Sequence, residues 1–339
     1  MKKLLALCAG IALLCAGCAK KSADRAPAIA LFITGIIADS PAYAHLAAGT
    51  AAAVDEYNAA LADEKQHATL YVMEAGTNQA EWASKLTALA ASGAYDVIIS
   101  SNPSLPELIA PICQQFPDVK FTLFDAAAEG NPQLYTVSYD KRDQAYISGY
   151  MAGLFSQTHK VGLIAAQEYP IMNTILYPYF AKGAADAVPG TTADFRVVGN
   201  WYDAAKGAEI ARAMNEAKID VILPICGGAS QGVIATAREK GMHIVWFDEN
   251  GFEKAPGVII SCCMTKHEFA AQETTRAYLA GETPWGTVRS VGLKDGYVSY
   301  FDDNPVYIET VPQDIREKMA ALVAALRNGE LTLPQRLDD

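Results

Sequence analysis

The chain holds 339 residues, of which 51% are hydrophobic and 19% charged, enough apolar material for a sizeable core and too little charge for a disordered chain. Its 27 Lys and Arg against 38 Asp and Glu give a formal charge of −11, which argues against a nucleic-acid partner. The length suits two ordinary domains.

Met1-Lys2-Lys3 opens the chain, Leu4 to Leu14 is an apolar run too short to span a bilayer, and Cys15-Ala16-Gly17-Cys18 closes it with small residues, the pattern of an export signal. The last four residues resemble a bacterial lipobox, with Cys15 where Leu is usual. The resemblance implies that residues 1–17 are a signal peptide and that Cys18 is lipidated. Residues 18–26 then form a lipidated tether, anchored to a bacterial membrane and facing the periplasm or exterior. More than one acyl chain is needed for stable anchoring. No later stretch is long and apolar enough to be a transmembrane helix.

From Pro27 onward, short apolar runs alternate with amphipathic stretches. Strands are predicted at Ile29–Ile33, Thr69–Met73, Asp96–Ser100 and Lys120–Phe124, and helices at Tyr43–Leu61, Gln79–Ala91 and Pro106–Phe116. Such alternation predicts a parallel, doubly wound sheet. The pattern then restarts. A helix over Arg142–Ser156 is expected to carry the first crossing between lobes. Strands follow at Val161–Ala165, Phe195–Val198, Val221–Ile225 and Ile244–Phe247, with helices at Tyr177–Ala187, Ala204–Ala217 and Gln231–Lys240 between them. The tail offers a helix at His267–Ala280, strands at Val288–Val291 and Val298–Phe301, and a helix at Gln313–Arg327. The fold class is therefore α/β: two doubly wound parallel-sheet lobes joined by a multi-crossing hinge. Residues 27–140 are expected to form lobe 1 with a return segment at about 257–290, and residues 141–250 lobe 2 with a C-terminal segment at about 291–330.

Once the signal is cut and Cys18 acylated, four cysteines remain, Cys113, Cys226, Cys262 and Cys263. Their placement suggests small buried residues rather than a disulfide framework. The five histidines show no ligand spacing, so neither a metal nor a cofactor is expected.

Ligands of open parallel sheets collect beyond the carboxyl ends of the strands, so the strand-to-helix turns hold the candidate residues. After the first strand, Asp39 or Ser40 either caps the next helix or meets a ligand, and Tyr43 sits one turn in, facing the cleft or packing. Asn102, in Ser100-Ser101-Asn102-Pro103, is a cap or a hydrogen-bonding group, and Asp125 is a loop cap or a hydroxyl acceptor. In the second half Tyr177 lies at a helix start, Trp201 precedes the N-cap candidate Asp203, and Gly228 lets backbone approach a ligand or forms a tight turn. Asp248 ends the apolar run Ile244–Phe247, and Lys266 follows the apolar run Val258–Cys263, read as a strand. Gly228-Ala229-Ser230-Gln231-Gly232 has the letters of a nucleophile elbow with His243 and His267 downstream, which leaves a surface enzyme acting on nucleosides as one alternative. A cleft rich in Tyr and Trp with isolated carboxylates suits a flat ring bearing hydroxyls. Stacking is worth about 1–3 kcal/mol per ring and a hydrogen bond to a charged acceptor about 1.5–3 kcal/mol.

Several segments are similar to the basic membrane protein type of ABC-transporter substrate-binding lipoproteins, which includes purine nucleoside receptors. They are Phe116-Pro117-Asp118-Val119-Lys120-Phe121 leading to Asp125, Gln144-Ala145-Tyr146-Ile147-Ser148-Gly149-Tyr150-Met151-Ala152-Gly153, Lys160-Val161-Gly162, Gly228 with Gly232-Val233, Asp248 and Lys266. The resemblance implies a type I periplasmic binding protein-like fold, a small-molecule ligand, an ABC permease partner and no enzyme activity. By the same resemblance Asp248 matches the carboxylate that grips ribose hydroxyls and Lys266 the cleft lysine. Two motifs depart from the family. Asp39-Ser40-Pro41-Ala42-Tyr43 stands where Asp-Lys-Ser-Phe-Asn is usual, and Asp248-Glu249-Asn250-Gly251 where Asp-x-Asp-Gln is. Ser40-Pro41-Ala42-Tyr43, Asn78-Gln79-Ala80-Glu81-Trp82 and Ser100-Ser101-Asn102-Pro103 resemble instead the riboflavin-uptake members. The implied ligand is riboflavin or a similar ring with a polyol chain, with a purine nucleoside as the alternative.

Overall fold

The computed structural model describes residues 25–247 and 249–337. Runs rich in Ile, Val and Phe become strands here because both of their faces are covered by helices, so that neither face needs polar residues. In chain order the first part comprises β1 (Ala28–Ile33), α1 (Pro41–Ala59), β2 (Thr69–Glu74), α2 (Trp82–Ala91), β3 (Val97–Ser101), α3 (Leu105–Gln115), β4 (Lys120–Phe124) and β5 (Leu134–Tyr139). Next come α4 (Arg142–Phe155), β6 (Lys160–Ala165), α5 (Tyr177–Ala187), β7 (Thr192–Val197), α6 (Ala204–Glu216), β8 (Val221–Ile225), α7 (Ser230–Lys240), β9 (His243–Phe247) and β10 (Ile259–Thr265). The remainder is α8 (His267–Leu279), β11 (Val288–Val291), β12 (Val298–Tyr300), α9 (Pro305–Thr310) and α10 (Gln313–Asn328).

Two six-stranded sheets result, ordered β11-β5-β4-β3-β1-β2 and β12-β10-β9-β8-β6-β7. Every pairing in the first is parallel, whereas β12 runs antiparallel to β10 in the second. The first sheet is sandwiched between two apolar clusters, one holding Leu46 and Val54 of α1 with Ala270 and Ala271 of α8, the other Leu86 of α2 and Ile109 of α3. A single larger cluster surrounds the second sheet and takes in α4, α5, α7 and α10. Cys113, Cys226, Cys262 and Cys263 are buried free thiols, and no helix among the described residues is long and apolar enough to cross a membrane.

Two corrections to the sequence reading concern the hinge. Ile259–Thr265, expected within the return segment of lobe 1, pairs with β9 in the second sheet, so the return starts only at α8, which packs on α1. Arg142–Phe155 does not carry the crossing; Ala145, Ile147, Met151 and Ala152 already lie in the second core, and the chain crosses in the two residues before the helix. Leu134–Tyr139 and Pro305–Thr310 are further elements that the sequence reading passed over. The chain passes between sheets after β5, after β10 and after β11. Gln144 ties the first two crossings together, donating from Nε2 to the Cys263 carbonyl at 2.8 Å and accepting at Oε1 from the Thr265 hydroxyl at 3.0 Å.

Candidate functional site

In each sheet the first strand has its successors on opposite sides, β2-β1-β3 and β7-β6-β8. The connections leaving the carboxyl ends of β1 and β3, and those leaving β6 and β8, depart to opposite faces and open a crevice there. Ser40 and Tyr43 follow β1, Asn102 follows β3, Tyr169 follows β6 and Gly227-Gly228 follow β8. The sequence candidates from β1, β3 and β8 thus meet at these two switch points.

On the first lobe, Pro41 begins α1 and Ser40 stands at its N-cap in extended conformation, yet the Ser40 side chain makes no capping bond. The capping alternative therefore fails, and the hydroxyl is left for another partner. The edge of the Tyr43 ring abuts Gly35, where a β-carbon would stand 2.8 Å from Cε2; only glycine leaves room for the ring. Its hydroxyl is held by the Thr34 hydroxyl at 2.9 Å and donates to the Thr34 carbonyl at 3.1 Å. Burial raises the Tyr43 pKa, and Tyr202, Asn102 and Asp125 are close enough to influence it, so the phenol is neutral at pH 7. Asn102 turns its carbonyl oxygen to the Ser104 N–H at 2.9 Å and hydroxyl at 2.6 Å, which fixes its amide. Asp125 takes a left-handed backbone, φ 53°, a conformation that a non-glycine residue adopts at a cost and that concentrates at functional sites. Its carboxylate pairs at 3.5 Å with Lys141 on the first crossing, and the Lys141 ammonium also lies 5.9 Å from the centre of the Tyr139 ring.

On the second lobe, Asn200 organises the loop after β7 by accepting at 2.8 Å from the N–H groups of both Tyr202 and Asp203. Asp203 then caps α6 through the Lys206 N–H at 2.8 Å, as the sequence indicates. Trp201 rests on Gly227, whose φ is +56° and whose β-carbon would stand 3.1 Å from Cε3; Tyr169 lies beside it, ring centres 6.4 Å apart. Gly228 is less constrained, since a β-carbon there would make ordinary contacts of 3.5 Å or more. The glycine that Trp201 rests on is thus Gly227 rather than the Gly228 chosen from sequence. Tyr169 and Tyr202, which lie next to Trp201 in space and in sequence respectively, are absent from the candidate set.

Other candidates lie elsewhere. Tyr177 packs on Phe195 at 5.1 Å and donates to the Ala193 carbonyl at 2.9 Å, a helix-to-sheet contact that removes it from the cleft. Trp82 is core, its indole bonded to the Gly76 carbonyl at 2.9 Å. Lys266, on the second crossing, is half-buried, and its ammonium has no ion pair among the described residues. Cys18 and Asp248 lie outside the described residues. Ser230 is buried at the start of α7 against the Cys226 sulfur, 3.2 Å away. His243 starts β9 at the opposite end of the sheet and packs on Phe155, and His267 packs on Tyr139 of the first lobe. No nucleophile elbow is formed.

Two cavities flank Arg142 at the hinge, of about 200 and 260 Å³, the second lined also by Tyr139, Lys141 and Ile171. Arg142 forks onto Asp140 and donates to the Pro334 carbonyl at 3.0 Å, so the C-terminal tail straps the first crossing.

The model of one protein family, described as Bmp, ABC transporter substrate-binding protein PnrA-like, matches residues 26–327. The ABC transporter nucleoside-binding protein BmpA of Lactococcus lactis subsp. cremoris is 20% identical, over 71% of this chain and 72% of its own. The CD4+ T-cell-stimulating antigen of Listeria monocytogenes is 21% identical, over 71% of each. Among solved structures, an ABC transporter solute-binding protein of Aeropyrum pernix superposes with a TM-score of 0.70 at 16% identity, covering 92% of this chain and 94% of that one; this shows the same two-lobed fold.

Proposed function

Because the chain belongs to the Bmp family of PnrA-like ABC transporter substrate-binding proteins, we propose that it captures riboflavin, or a similar aromatic ring with a polyol chain, and hands it to an ABC permease. That it is a substrate-binding protein, not an enzyme, follows from the family; the ligand and the anchor are the inference. The observation that carries it is the pair of aromatic platforms at the two switch points, Tyr43 over Gly35 on one lobe and Trp201 over Gly227 on the other. Each ring is set against a glycine that leaves room for it, and two aromatic rings at the switch points suit a fused planar ring. The Ser40 hydroxyl, the Asn102 amide, and the Asp125 carboxylate held by Lys141 surround the first platform and suit a chain of hydroxyls. By resemblance to the family's cleft residues, Asp248 is assigned to the same hydroxyls and Lys266 to the cleft. Acylated Cys18 would hold the protein at the membrane, which a shift of the Cys18→Ser variant from the membrane to the soluble fraction tests.

Riboflavin added to the purified protein is expected to lose fluorescence through stacking and to raise the melting temperature. No quenching together with no thermal shift rejects the proposal. A purine nucleoside is the second reading, favoured by the nucleoside-binding relative; a thermal shift with inosine or guanosine but not with riboflavin selects it.

A further inference from the structure

The row of strand ends in the first lobe continues past the switch point to the hinge. The order β1-β3-β4-β5-β11, with every pairing parallel, sets Tyr43, Asn102, Asp125, Lys141 and Ser290 side by side at the carboxyl ends. Direct contacts join them. Thr34, which holds Tyr43, donates from its hydroxyl to the Ser101 carbonyl at 3.0 Å, the Asn102 N–H donates to the Phe124 carbonyl at 3.2 Å, and Asp125 pairs with Lys141 at 3.5 Å. From β1 to β5 the row covers three strand spacings, about 14 Å, a distance of the order of a fused ring with its chain.

At the hinge end of this row lies the cavity of about 260 Å³ beside Arg142, smaller than the roughly 300–1,000 Å³ that encloses a whole ligand. It suits one end of a ligand. Ser138 and Ser290 are register partners on β5 and β11, so their side chains share one face of the sheet. Ile171 and Ile175, which follow β6, line the cavity from the second lobe, and Gln335 of the C-terminal tail completes the wall. The tail is fastened on both sides of Gln335: the Pro334 carbonyl accepts from Arg142 at 3.0 Å and from the Tyr179 hydroxyl, while Leu333 and Leu337 pack on the second core. Neither the two serine hydroxyls nor the Gln335 amide makes a hydrogen bond among the described residues. The charges beside them are already matched, Lys141 by Asp125 and Arg142 by Asp140.

We propose that this hinge-side cavity is a subsite of the ligand cleft that takes the hydroxylated end of the ligand, with Gln335 as a specificity-determining residue that bonds to it. The inference rests on the cleft being the ligand site. Two hydroxyls and an amide, each able to donate and to accept, match neutral alcohol groups. A phosphate at the chain end would carry about −1.5 to −2 charge to cations whose charge is already spent, so the subsite favours the free alcohol.

The test compares affinities by calorimetry on the full chain. Riboflavin is set against lumiflavin, which has the ring without the polyol, and against the phosphate ester of riboflavin; inosine is set against hypoxanthine, its bare ring. Riboflavin is expected to bind at least tenfold tighter than either lumiflavin or the phosphate ester. Gln335→Ala, a change at an exposed tail position, is expected to shrink the ratio of riboflavin to lumiflavin affinity about fivefold, the loss of one neutral hydrogen bond. A purely structural role would weaken both ligands alike, so an unchanged ratio overturns the subsite, as does a phosphate ester that binds as well as riboflavin. If inosine binds and riboflavin does not, the flavin reading fails, and the same change in the ratio of inosine to hypoxanthine affinity decides the subsite. Binding of neither riboflavin nor inosine overturns both.

Discussion

Asp143 opens α4 just past the first crossing, among carboxylates contributed by two hinge segments. Burial, then Asp140, and more weakly Asp295, push its pKa from an ordinary 3.8 to about 6, with Arg142 opposing. The native state therefore binds this proton more tightly than the unfolded chain does. Stability falls as pH rises between about 4 and 6, and the cost is fully present above that window. A displacement of that size corresponds to about 3 kcal/mol; because the group is not fully buried, solvent screening reduces the expected figure to roughly 1–2 kcal/mol. Asp143→Asn cannot ionise. It is expected to raise the unfolding free energy by that amount at pH 8 and to leave it nearly unchanged at pH 3.5, where the aspartate is mostly protonated in both states. Urea unfolding of both proteins at the two pH values measures the difference. Equal effects at both values would show that packing, not charge, sets the cost, and would refute the reasoning.

Gly35→Ala places a methyl 2.8 Å from the Tyr43 ring and forces it to tilt. Calorimetry is expected to show riboflavin affinity lowered about tenfold, with a modest loss of melting temperature. Trp201→Ala removes one stacking face and is expected to weaken binding by about 1–3 kcal/mol with little change in melting temperature, the side chain being only half-buried. Gly232→Ala brings a β-carbon within 1.8 Å of the Ala204 carbonyl oxygen where α6 and α7 touch, so thermal melting should reveal a loss of at least about 1–3 kcal/mol. Burial pushes the Cys262 thiol up to about 12 and the Cys226 thiol to about 11. A thiol-reactive chromogenic disulfide at pH 8 is expected to leave both unmodified until the protein is denatured.

The alternation of apolar runs with amphipathic stretches made both sheets legible, since buried parallel strands and crossover helices have distinct sequence periods. Long-range placement was less so. Ile259–Thr265 has the same character as any buried strand, and only its pairing with β9 assigns it to the second lobe; nothing local encodes that choice. Leu134–Tyr139 escaped notice because Thr136 and Ser138 break the apolar run, although Thr136 is buried and satisfied by the Ala128 backbone. At the site, Tyr43, Asn102 and Trp201 could be found from their position after strands. Tyr177 had equal promise by that rule but turns onto Phe195, because a side chain at a helix start points to sheet or cleft according to helix rotation, which spacing does not reveal. The need for Gly35 and Gly227 arises from rings folding back on them. The π-helical turn Met172–Leu176 ahead of α5 likewise has no sequence mark.

The central claim, that a fused ring with a polyol chain is held between the platforms of Tyr43 and Trp201, is tested most directly by native mass spectrometry with riboflavin and inosine offered together. A one-to-one riboflavin adduct that outcompetes inosine, and that weakens in Trp201→Ala, is the result predicted. An inosine adduct in its place, or a riboflavin adduct indifferent to loss of the indole, contradicts it.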